Sequence, residues 1–558
     1  MISEHAGQSG LAASAEAAPW WRGAVIYEIY PRSFADGSGD GTGDLAGVRA
    51  RLPYLRDLGV DAVWFTPWYP SPMADGGYDV TDYRSIDPGF GDLREAELLI
   101  AEARGLGIRT IVDVVPNHVS DQHPWFHEAL GSPSGSAQRG RFWFRPGRGP
   151  DGGLPPNAWV SEFGGPAWTR TTDPDGSPGE WYLHLFAPSQ PDLNWGHPEV
   201  REEHEDVLRF WFDRGVAGIR IDSAALLVKD PALPDVAALH PPGDHPYVDR
   251  DELQDIYRGW RAVADSYGDD RALIGELWLP EATRFARYLR PGVLNSAFNF
   301  DFLVCPWDAD RLRTSIRQTT AVHAEVGAPA TWVLSNHDVT RPVTRYGRRD
   351  TSFSFETKRY GTPTDLWLGL RRARAAALLT MALPGCVYLY QGEELGLPEV
   401  EDIPPNLLQD PMHFRSHGVD PGRDGCRVPM PWSGDTPPYG FSADDASAEP
   451  WLPQPADWAG LTVESQTGIP TSTLELYRSA LRLRRELPTL GDGPMTWLPS
   501  APEVLAFARG ADFACVVNLG TDPVALPAHD HVLLSSAALK GGRLPADTAA
   551  WLRISAPG

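Results

Sequence analysis

The sequence has few cysteines and few cationic residues for its length. Only four cysteines occur in 558 residues, and no two form a CxxC pair. This spacing argues against a zinc or thiol-redox motif and mildly favours a reducing compartment. Lys and Arg together number 49 against 74 Asp and Glu, so the net charge is −25 at pH 7. Because so acidic a chain repels phosphate backbones and anionic lipids, we expect neither nucleic acid nor a membrane as a partner.

Long apolar runs are also missing. The longest uncharged stretch, residues 375–392, is interrupted by Pro384 and Gly385, which predicts a helix end and a short strand rather than a membrane span. Residues 1–18 contain no basic segment followed by an apolar one, so no signal peptide is readable, and we predict a disordered lead there. Together these absences predict a soluble, cytoplasmic enzyme or binding protein, whose oligomeric state the sequence leaves open.

Strand-like and helix-like segments alternate along most of the chain. The β-type runs are mostly continuous in Val, Ile, Leu and aromatic residues, as strands buried on both faces are. Helical patterns lie between them, for example at 93–104 and 198–214. Eight such alternations predict an α/β fold of the (β/α)8 TIM-barrel type. The runs are 24–30, 62–67, 109–115, 218–222, 273–278, 297–302, 331–335 and 387–390.

Two regions depart from this alternation. The stretch between the third and fourth runs is rich in Gly, Pro and Trp and too long for one crossover, so we predict a small inserted domain at 119–196. After residue 487 the helical pattern stops, and strand-like pieces at 504–508, 513–518 and 531–534 predict a C-terminal antiparallel β domain over 488–558. The barrel then comprises residues 19–118 and 197–487.

Carboxylates follow three of the predicted strands: Asp222 ends the fourth run, Glu276 lies in the fifth, and Asp338 follows the seventh. In this barrel type the catalytic residues lie at the carboxyl ends of the strands, so we expect these three side chains to lie together at that end of the barrel, its mouth. Paired carboxyl groups suit glycosidic-bond cleavage, in which one protonates the leaving oxygen and the other attacks or supports the sugar carbon. Taken singly, each of these carboxylates could equally be an ordinary charged residue in a loop at the end of a strand, without a catalytic role.

The neighbours of these carboxylates predict different protonation states. Arg220 lies two residues before Asp222, on the same strand face, and an adjacent guanidinium keeps a nucleophilic carboxylate ionised. Glu276 lies among Ile274, Leu277 and Trp278, apolar surroundings that raise the pKa of a carboxyl group toward that of a general acid.

The order of these motifs resembles the α-amylase clan of glycoside hydrolases, family 13. Its four conserved regions are similar to residues 113–118, 218–222, 275–278 and 335–338, and residues 190–195 resemble the segment that marks the oligo-1,6-glucosidase and α-glucosidase branch. The resemblance implies the same barrel with an inserted and a terminal domain. It also implies Asp222 as nucleophile, Glu276 as acid/base and Asp338 as transition-state stabiliser. His118 and His337 match the histidines that hold the sugar hydroxyls.

Two further segments resemble the glucose pocket of that branch. In one, Asp75 would grip the non-reducing-end glucose and Tyr78 would stack beneath it, although Tyr78 alone is equally a core residue. The other contains Arg423 and Arg427 but departs from the family pattern at Gly425 and Cys426. Which arginine pairs with Asp75 therefore stays open, with Arg423 preferred. A pocket closed in this way implies an exo-acting enzyme that removes one glucose at a time.

Residues 36–44 alternate oxygen-bearing side chains with glycines, a spacing that can wrap a hard cation as the first part of an EF-hand loop does. Gly47 occupies the place of the bidentate Glu, so this is not an EF-hand. The segment resembles the calcium loop of the same branch, and we predict a structural Ca²⁺ or Mg²⁺, with no cofactor for catalysis. The alternative is an empty turn. The candidate ligands are Asp36, Ser38, Asp40, the Thr42 carbonyl and Asp44.

The preferred activity is a retaining α-glucosidase acting on short α-glucosides. Ser223 follows the nucleophile, where small or polar residues accompany α-1,4 preference in the resembled branch and Val accompanies α-1,6. A glucosyltransferase or isomerase shares the covalent intermediate and stays open, as does an oligo-1,6-glucosidase. The loops that would border the acceptor, 230–249 and 351–364, could distinguish water from a sugar as acceptor, but their sequences show no pattern that does so. We call them the acceptor-side loops. A metal-dependent hydrolase on the same barrel would need closely paired histidines, and neither His118 nor His337 belongs to an HxH or HxxxH pair. An inactive sugar-binding relative would typically lack one of the three carboxylates, all of which are present here.

Overall fold

The structure is a computed structural model that describes residues 18–173, 175–236, 243–268, 270–355 and 357–555. Apart from Ala18, the predicted lead at 1–18 lies outside the described residues. Within these ranges, no helix has the length and apolar character needed to cross a membrane.

Eight parallel strands form the central sheet, in the order β7-β8-β1-β2-β3-β4-β5-β6. Neighbouring strands pair in parallel register throughout this order. Between β6 and β7 the described residues form no strand pairing, but the Thr331 hydroxyl donates to the Ala297 carbonyl across that gap. The predicted (β/α)8 barrel is therefore confirmed as a nearly closed one. Its strands are β1 (Val25–Ile29), β2 (Ala62–Phe65), β3 (Arg109–Val114), β4 (Gly218–Ile221), β5 (Ala272–Gly275), β6 (Ser296–Ala297), β7 (Thr331–Val333) and β8 (Cys386–Tyr390).

Alternate strand residues serve the two faces of the barrel wall. Ile26 and Trp64 belong to an inner cluster with Ile111, Ile274 and Tyr388. Their chain neighbours belong to the larger cluster beneath the outer helices. Because both faces are apolar, the strands appear in the sequence as continuous apolar runs.

The α-helices cover the barrel or lie in the connecting loops. Several longer ones begin at an aspartate whose carboxylate accepts a hydrogen bond from the first turn, as Asp92 and Asp365 do. The α-helices are Leu45–Leu58, Leu93–Gly105, Pro124–Gly131, Ala137–Gly140, Pro198–Asp213, Leu253–Asp265, Ala282–Arg287, Phe300–Val304, Ala309–Val326, Pro342–Tyr346, Leu366–Ala382, Pro411–Arg415, Val463–Gln466 and Thr473–Glu486.

One predicted strand is wrong over most of its length. Of residues 297–302, only Ala297 is in a strand, and a helix begins at Phe300. The reason is local: the Asn299 side chain accepts a hydrogen bond from the Phe302 N–H and caps this helix. The apolar run is buried here without being extended.

A small antiparallel sheet lies between β3 and β4, within the predicted insert. Its strands, in spatial order, are Phe144–Arg145, Pro178–Leu183 and Trp168–Thr172. An aromatic cluster around Trp143, Trp159 and Trp168 packs against Leu233 and Tyr247 from the loop after β4. The insert therefore rests on the acceptor-side loop.

The C-terminal region is antiparallel β structure, as predicted. Five strands pair in the order Met495–Trp497, Val504–Arg509, Phe513–Asn518, Thr548–Arg553 and His531–Ser535. A separate pair joins Val524–Ala525 to Arg543–Leu544. The first and fourth strands of the larger sheet were not predicted. The boundaries assigned to the three domains stay predictions.

Candidate active site

Arg220 lies at the centre of a buried cluster of carboxylates. Its Nη1 donates to Asp222 at 2.7 Å and to both oxygens of Asp113 at 2.9 and 3.0 Å, while its Nη2 donates to Glu276 at 2.6 Å. Asp113 and Arg220 are direct partners in the register of β3 and β4, and Asp222 and Glu276 follow β4 and β5 immediately. Adjacent parallel strands that end together therefore place Asp222 and Glu276 on one guanidinium.

Burial dominates the protonation of Asp222 and Glu276. It raises the pKa of Glu276 to about 7, with Arg220 opposing the shift and the negative charges of Asp222 and Asp338 adding to it. Burial also raises the pKa of Asp222, although Arg220 opposes that shift. The sequence-based expectation that Arg220 alone keeps Asp222 ionised is too simple, because this guanidinium is shared by three carboxylates. Of the pair, Glu276 is the better proton carrier near neutral pH.

Asp338 has the opposite environment. Its Oδ1 lies 3.0 Å from Arg423 Nη1 and 3.0 Å from Arg427 Nη2. Burial alone would raise its pKa, but the positive charges of these guanidinium groups outweigh burial and hold the pKa well below its ordinary value. Asp338 is therefore a permanent anion beside the pair that shares Arg220.

The two predicted sugar-binding histidines are buried and neutral. Burial lowers the pKa of His118 to about 4 and that of His337 to about 3. His337 contacts Glu28 of β1 through Nδ1, and its Nε2 lies 3.5 Å from Asp338. His118 Nε2 lies 3.1 Å from the Tyr78 carbonyl oxygen and 3.1 Å from the Gln190 amide nitrogen. Both rings are held by fixed partners at the mouth.

Asp75 is held by Arg423, the preferred partner of the two arginines. Arg423 Nη2 donates to Asp75 Oδ1 at 2.6 Å, and Gln190 donates to Asp75 Oδ2 at 2.9 Å. Arg423 Nε also donates to Asp410 at 2.6 Å. Arg427 instead donates to the His337 carbonyl at 2.9 Å and to Asp338. The departure at Gly425 and Cys426 therefore leaves the Asp75–Arg423 contact intact.

Tyr78 and Ser223 line the same cluster. The Tyr78 hydroxyl donates to Asp113 at 3.1 Å, and its ring stacks on His337 with centroids 5.2 Å apart. Ser223 has a left-handed backbone, with φ 47°, and its N–H donates to Glu276 Oε2 at 3.0 Å. This backbone turn, uncommon for a residue other than glycine, lets the chain after Asp222 reach Glu276.

A contact between the insert and the loop after β8 lies over the Asp75–Arg423 pair. The Phe163 ring centroid is 5.1 Å from the guanidinium carbon of Arg423, and Phe163 packs with Met412 in one apolar cluster. Arg415 Nε donates to the Gly164 carbonyl at 3.0 Å. We call Phe163, Gly164, Met412 and Arg415 the strap.

In the predicted cation loop, residues 36–44, the carboxylates of Asp36 and Asp44 accept hydrogen bonds from N–H groups of the loop itself. Both oxygens of Asp36 accept backbone N–H donors, from Gly39 at 2.6 Å and from Gly41 at 2.9 Å, and Ser442 donates to it as well. Asp44 caps the helix that starts at Leu45 and also accepts from the Gly37 and Ser38 N–H groups.

As they lie, these residues do not fit a cation held by carboxylates. Ser38 donates its hydroxyl to Asp36, and Asp40 accepts from the Thr42 N–H at 2.9 Å. In the described part of the chain, no three His, Cys, Asp or Glu side chains are grouped to hold a metal ion. The cation site stays a prediction.

The sequence analysis missed several residues that hold this site together. Glu28, at 2% exposure in the middle of β1, contacts His337; Asp410 contacts Arg423; and Lys229, also at 2% exposure, lies 2.7 Å from Asp192. A charged residue inside an apolar strand run was the available signal for Glu28. Asp410 and Lys229 lie in loops, where nothing in the sequence distinguishes them from surface charges.

Comparison with known proteins gives consistent matches over nearly the whole chain. The model of the α-amylase catalytic domain matches residues 28–493, and a model described as a domain of unknown function matches residues 504–551. A probable alpha-glucosidase of Rhizobium meliloti (strain 1021) is 39% identical over 512 residues, covering 88% of this chain and 87% of that protein. The trehalose-6-phosphate hydrolase of Escherichia coli (strain K12) is 33% identical over 548 residues, covering 90% and 91%.

Among solved structures, an alpha-glucosyl transfer enzyme, XgtA, has a TM-score of 0.81 and 35% identity, covering 96% of this chain and 100% of that one. The barrel, the order of the motifs and the match over residues 28–493 agree. This chain is a member of the α-amylase family of glycoside hydrolases.

Proposed function

We propose that the protein is an exo-acting, retaining α-glucosidase that releases glucose from the non-reducing end of short α-glucosides. The observation that carries this proposal is the shared guanidinium: Arg220 holds Asp222 at 2.7 Å and Glu276 at 2.6 Å. One member of this pair has its pKa raised to about 7, so it can carry the proton that the leaving oxygen needs. The other is then the nucleophile.

The chemistry follows from these two roles. Asp222 forms a bond to C1 of the sugar while the bond between C1 and the glycosidic oxygen breaks. The electron pair of the broken bond stays on the leaving oxygen, and this oxygen takes the proton of Glu276. In the second step a water gives a proton back to Glu276, and its oxygen bonds to C1 as the bond to Asp222 breaks. Because both carboxyl groups contact the same guanidinium, we expect them to lie at the short separation of about 5–5.5 Å that is typical of a retaining enzyme rather than at the wider inverting distance.

The exo mode is supported by the wall beyond the sugar. Asp75, Arg423 and Gln190 form a fully paired group there, and the strap lies over it. A longer chain would have to extend through this wall, whereas a terminal glucose can hydrogen-bond to it. The probable alpha-glucosidase relative is consistent with this assignment.

We further propose a preference for α-1,4 over α-1,6 linkages, which rests on Ser223. The side chain is half-buried beside Asp222 and Glu276, at the position where the leaving sugar departs. Branched apolar bulk there would restrict one orientation of the leaving sugar. Such contacts are worth about 1–3 kcal/mol, so we expect a roughly ten- to two-hundredfold preference in kcat/KM for maltose over isomaltose. Ser223→Val should shift the ratio toward isomaltose, and an isomaltose-favouring unmodified enzyme would instead support the oligo-1,6-glucosidase alternative.

A second candidate is a glucosyltransferase or isomerase, favoured by the likeness to the alpha-glucosyl transfer enzyme. It forms the same intermediate but passes glucose to another sugar in place of water. Chromatography of the products formed from maltose distinguishes the two: glucose alone supports hydrolysis, and accumulating trisaccharides or isomeric disaccharides support transfer.

The test of the assignment is Asp222→Asn. We expect kcat on maltose to fall by about three orders of magnitude or more with the melting temperature nearly unchanged, because the nucleophile is lost and the volume is kept. Asp206→Asn, on an exposed helix face, is the matched control. Because the reaction retains the configuration at C1, the glucose released first from the α-glucoside should be the α anomer when the reaction is followed by NMR. A β anomer, or an Asp222→Asn enzyme with more than a few per cent of the activity, would overturn the proposal.

The partner we propose is therefore a small neutral oligosaccharide. The cytoplasmic location, the absence of nucleic-acid and membrane partners and the absence of a catalytic cofactor remain expectations from the sequence.

A further inference from the structure

Trp278 contacts the acid/base candidate through its indole nitrogen. Its Nε1 donates to Oε1 of Glu276 at 3.0 Å. The indole ring lies flat on Phe300, with centroids 3.7 Å apart and an interplanar angle of 3°, and Phe355 meets it edge-on at 5.1 Å. Packing on two sides therefore fixes the direction of this N–H.

The two oxygens of Glu276 are not equivalent. Oε2 accepts from Arg220 Nη2 at 2.6 Å and from the Ser223 N–H at 3.0 Å, and neither donor can accept a proton in return. Oε1 accepts only the Trp278 N–H among the hydrogen bonds of the described residues. A protonated Glu276 therefore has room for its hydrogen on Oε1.

We propose that Trp278 is a positioning residue that makes Oε1 of Glu276 the oxygen that gives and takes the catalytic proton. This inference rests on the proposed function of Glu276. As the glycosidic bond breaks, the hydrogen on Oε1 passes to the leaving oxygen and Oε1 becomes anionic. The Trp278 hydrogen bond then becomes charge-assisted, so it is stronger after proton transfer than before it.

The inference predicts a change in pH dependence. The charged groups that face Glu276 are Arg220 and Asp222 of the β4 end, Asp113 of β3 and Asp338 after β7. Loss of the indole N–H leaves all of these in place and removes one donor to the carboxylate. The ionised form of Glu276 becomes less favourable, and its pKa rises further.

The experiment compares Trp278→Phe with Phe300→Leu. Trp278→Phe keeps an aromatic ring on Phe300 but has no N–H. We expect the alkaline limb of kcat/KM to move upward by about half to one pH unit and kcat on maltose to fall about tenfold. On 4-nitrophenyl α-glucoside, whose leaving group needs little protonation, the fall should be less than about threefold. Phe300→Leu replaces the stacked ring with a smaller apolar side chain and keeps the N–H, so its alkaline limb should move much less than that of Trp278→Phe.

An equal loss on both substrates with an unmoved alkaline limb would make Trp278 a packing residue and overturn the inference. The position of the limb does not depend on how much of the variant is folded, so partial misfolding does not hide the answer. An unmodified enzyme that cleaves neither substrate would refute the proposed function instead.

Discussion

At the scale of single residues, one arginine decides how the site divides its charges. Arg220 contacts Asp113, Asp222 and Glu276, while Asp338 is neutralised by Arg423 and Arg427. Three carboxylates thus share the one positive charge of Arg220, whereas Asp338 contacts two cations, of which Arg423 is shared with Asp75 and Asp410. A carboxyl group is therefore a proton carrier at Glu276 and a permanent anion at Asp338.

The pH profile of kcat/KM on maltose should be bell-shaped with a slightly acidic optimum. Glu276 must be protonated to act as acid, so activity should be lost as pH rises through about 7, the value to which burial raises its pKa. Asp222 must be ionised, so activity should also be lost as pH falls through its pKa, which burial raises above the ordinary value. Initial rates between pH 4 and 9 test this, and a constant rate up to pH 9 would contradict the role of Glu276.

At the scale of elements, loops rather than strands close the pocket. The strap joins the insert to the helix Pro411–Arg415, and the loop after β4 packs against the insert's aromatic cluster. The barrel wall supplies the carboxylates, and these loops supply the shape of the sugar pocket. Changes in the loops should therefore alter substrate binding more than chemistry.

Arg415→Met should raise the KM for maltose a few-fold with little change in kcat. The variant removes the hydrogen bond to Gly164 and keeps most of the side-chain bulk, so Phe163 loses support above Arg423. An exposed hydrogen bond is worth about 1 kcal/mol or less, which corresponds to roughly fivefold. Arg148→Met is the matched control, because Arg148 also donates to a carbonyl, that of Pro155, within the insert. Equal effects of the two variants would show that the strap does not shape the pocket.

Chelation tests the predicted cation loop. A cation bound by the native state alone would stabilise the protein by mass action, so its removal would lower the melting temperature. Because Asp36 and Asp44 already accept backbone N–H donors, we expect EDTA to leave the melting temperature unchanged. A fall of several degrees that Ca²⁺ restores would show that the loop rearranges to bind the ion.

At the scale of the whole molecule, the acidic charge extends to the loops around the mouth. The net charge is −25, and cations of the acceptor-side loops are paired with carboxylates. Lys358 lies 2.7 Å from Asp420, and Arg359 lies 2.6 Å from Asp350. Arg250, directly after the loop 230–249, lies 3.0 Å from Glu252. A phosphate entering here would meet cations that are already neutralised.

The enzyme should therefore discriminate against phosphorylated disaccharides, unlike its trehalose-6-phosphate hydrolase relative. We expect kcat/KM to be at least about tenfold lower on maltose phosphorylated at C6 of the reducing-end glucose, which faces the acceptor-side loops, than on maltose, because a like-charge field lowers the local concentration of an anionic substrate. The gap should narrow as salt is added. A faster reaction with the phosphorylated sugar at low salt would contradict this prediction.

The sequence by itself determined the barrel and the candidate residues. Strands buried on both faces must be apolar throughout, so the runs at 62–67, 109–115 and 218–222 were visible, and the helices at 93–104 and 198–214 follow from their own periodicity. A carboxylate directly after such a run must lie at the barrel mouth, which identified Asp222 and Glu276 without any contact information.

Only the tertiary structure decided how these residues pair. Arg423 and Arg427 are four positions apart with the same charge, and the short 3-10 helix Asp424–Cys426 between them directs one toward Asp75 and the other toward the His337 carbonyl. The protonation of Asp222 was likewise undetermined, because it depends on burial and on how many carboxylates share Arg220. Pairing and desolvation are sums over neighbours that are distant in the chain, and local sequence patterns do not contain them.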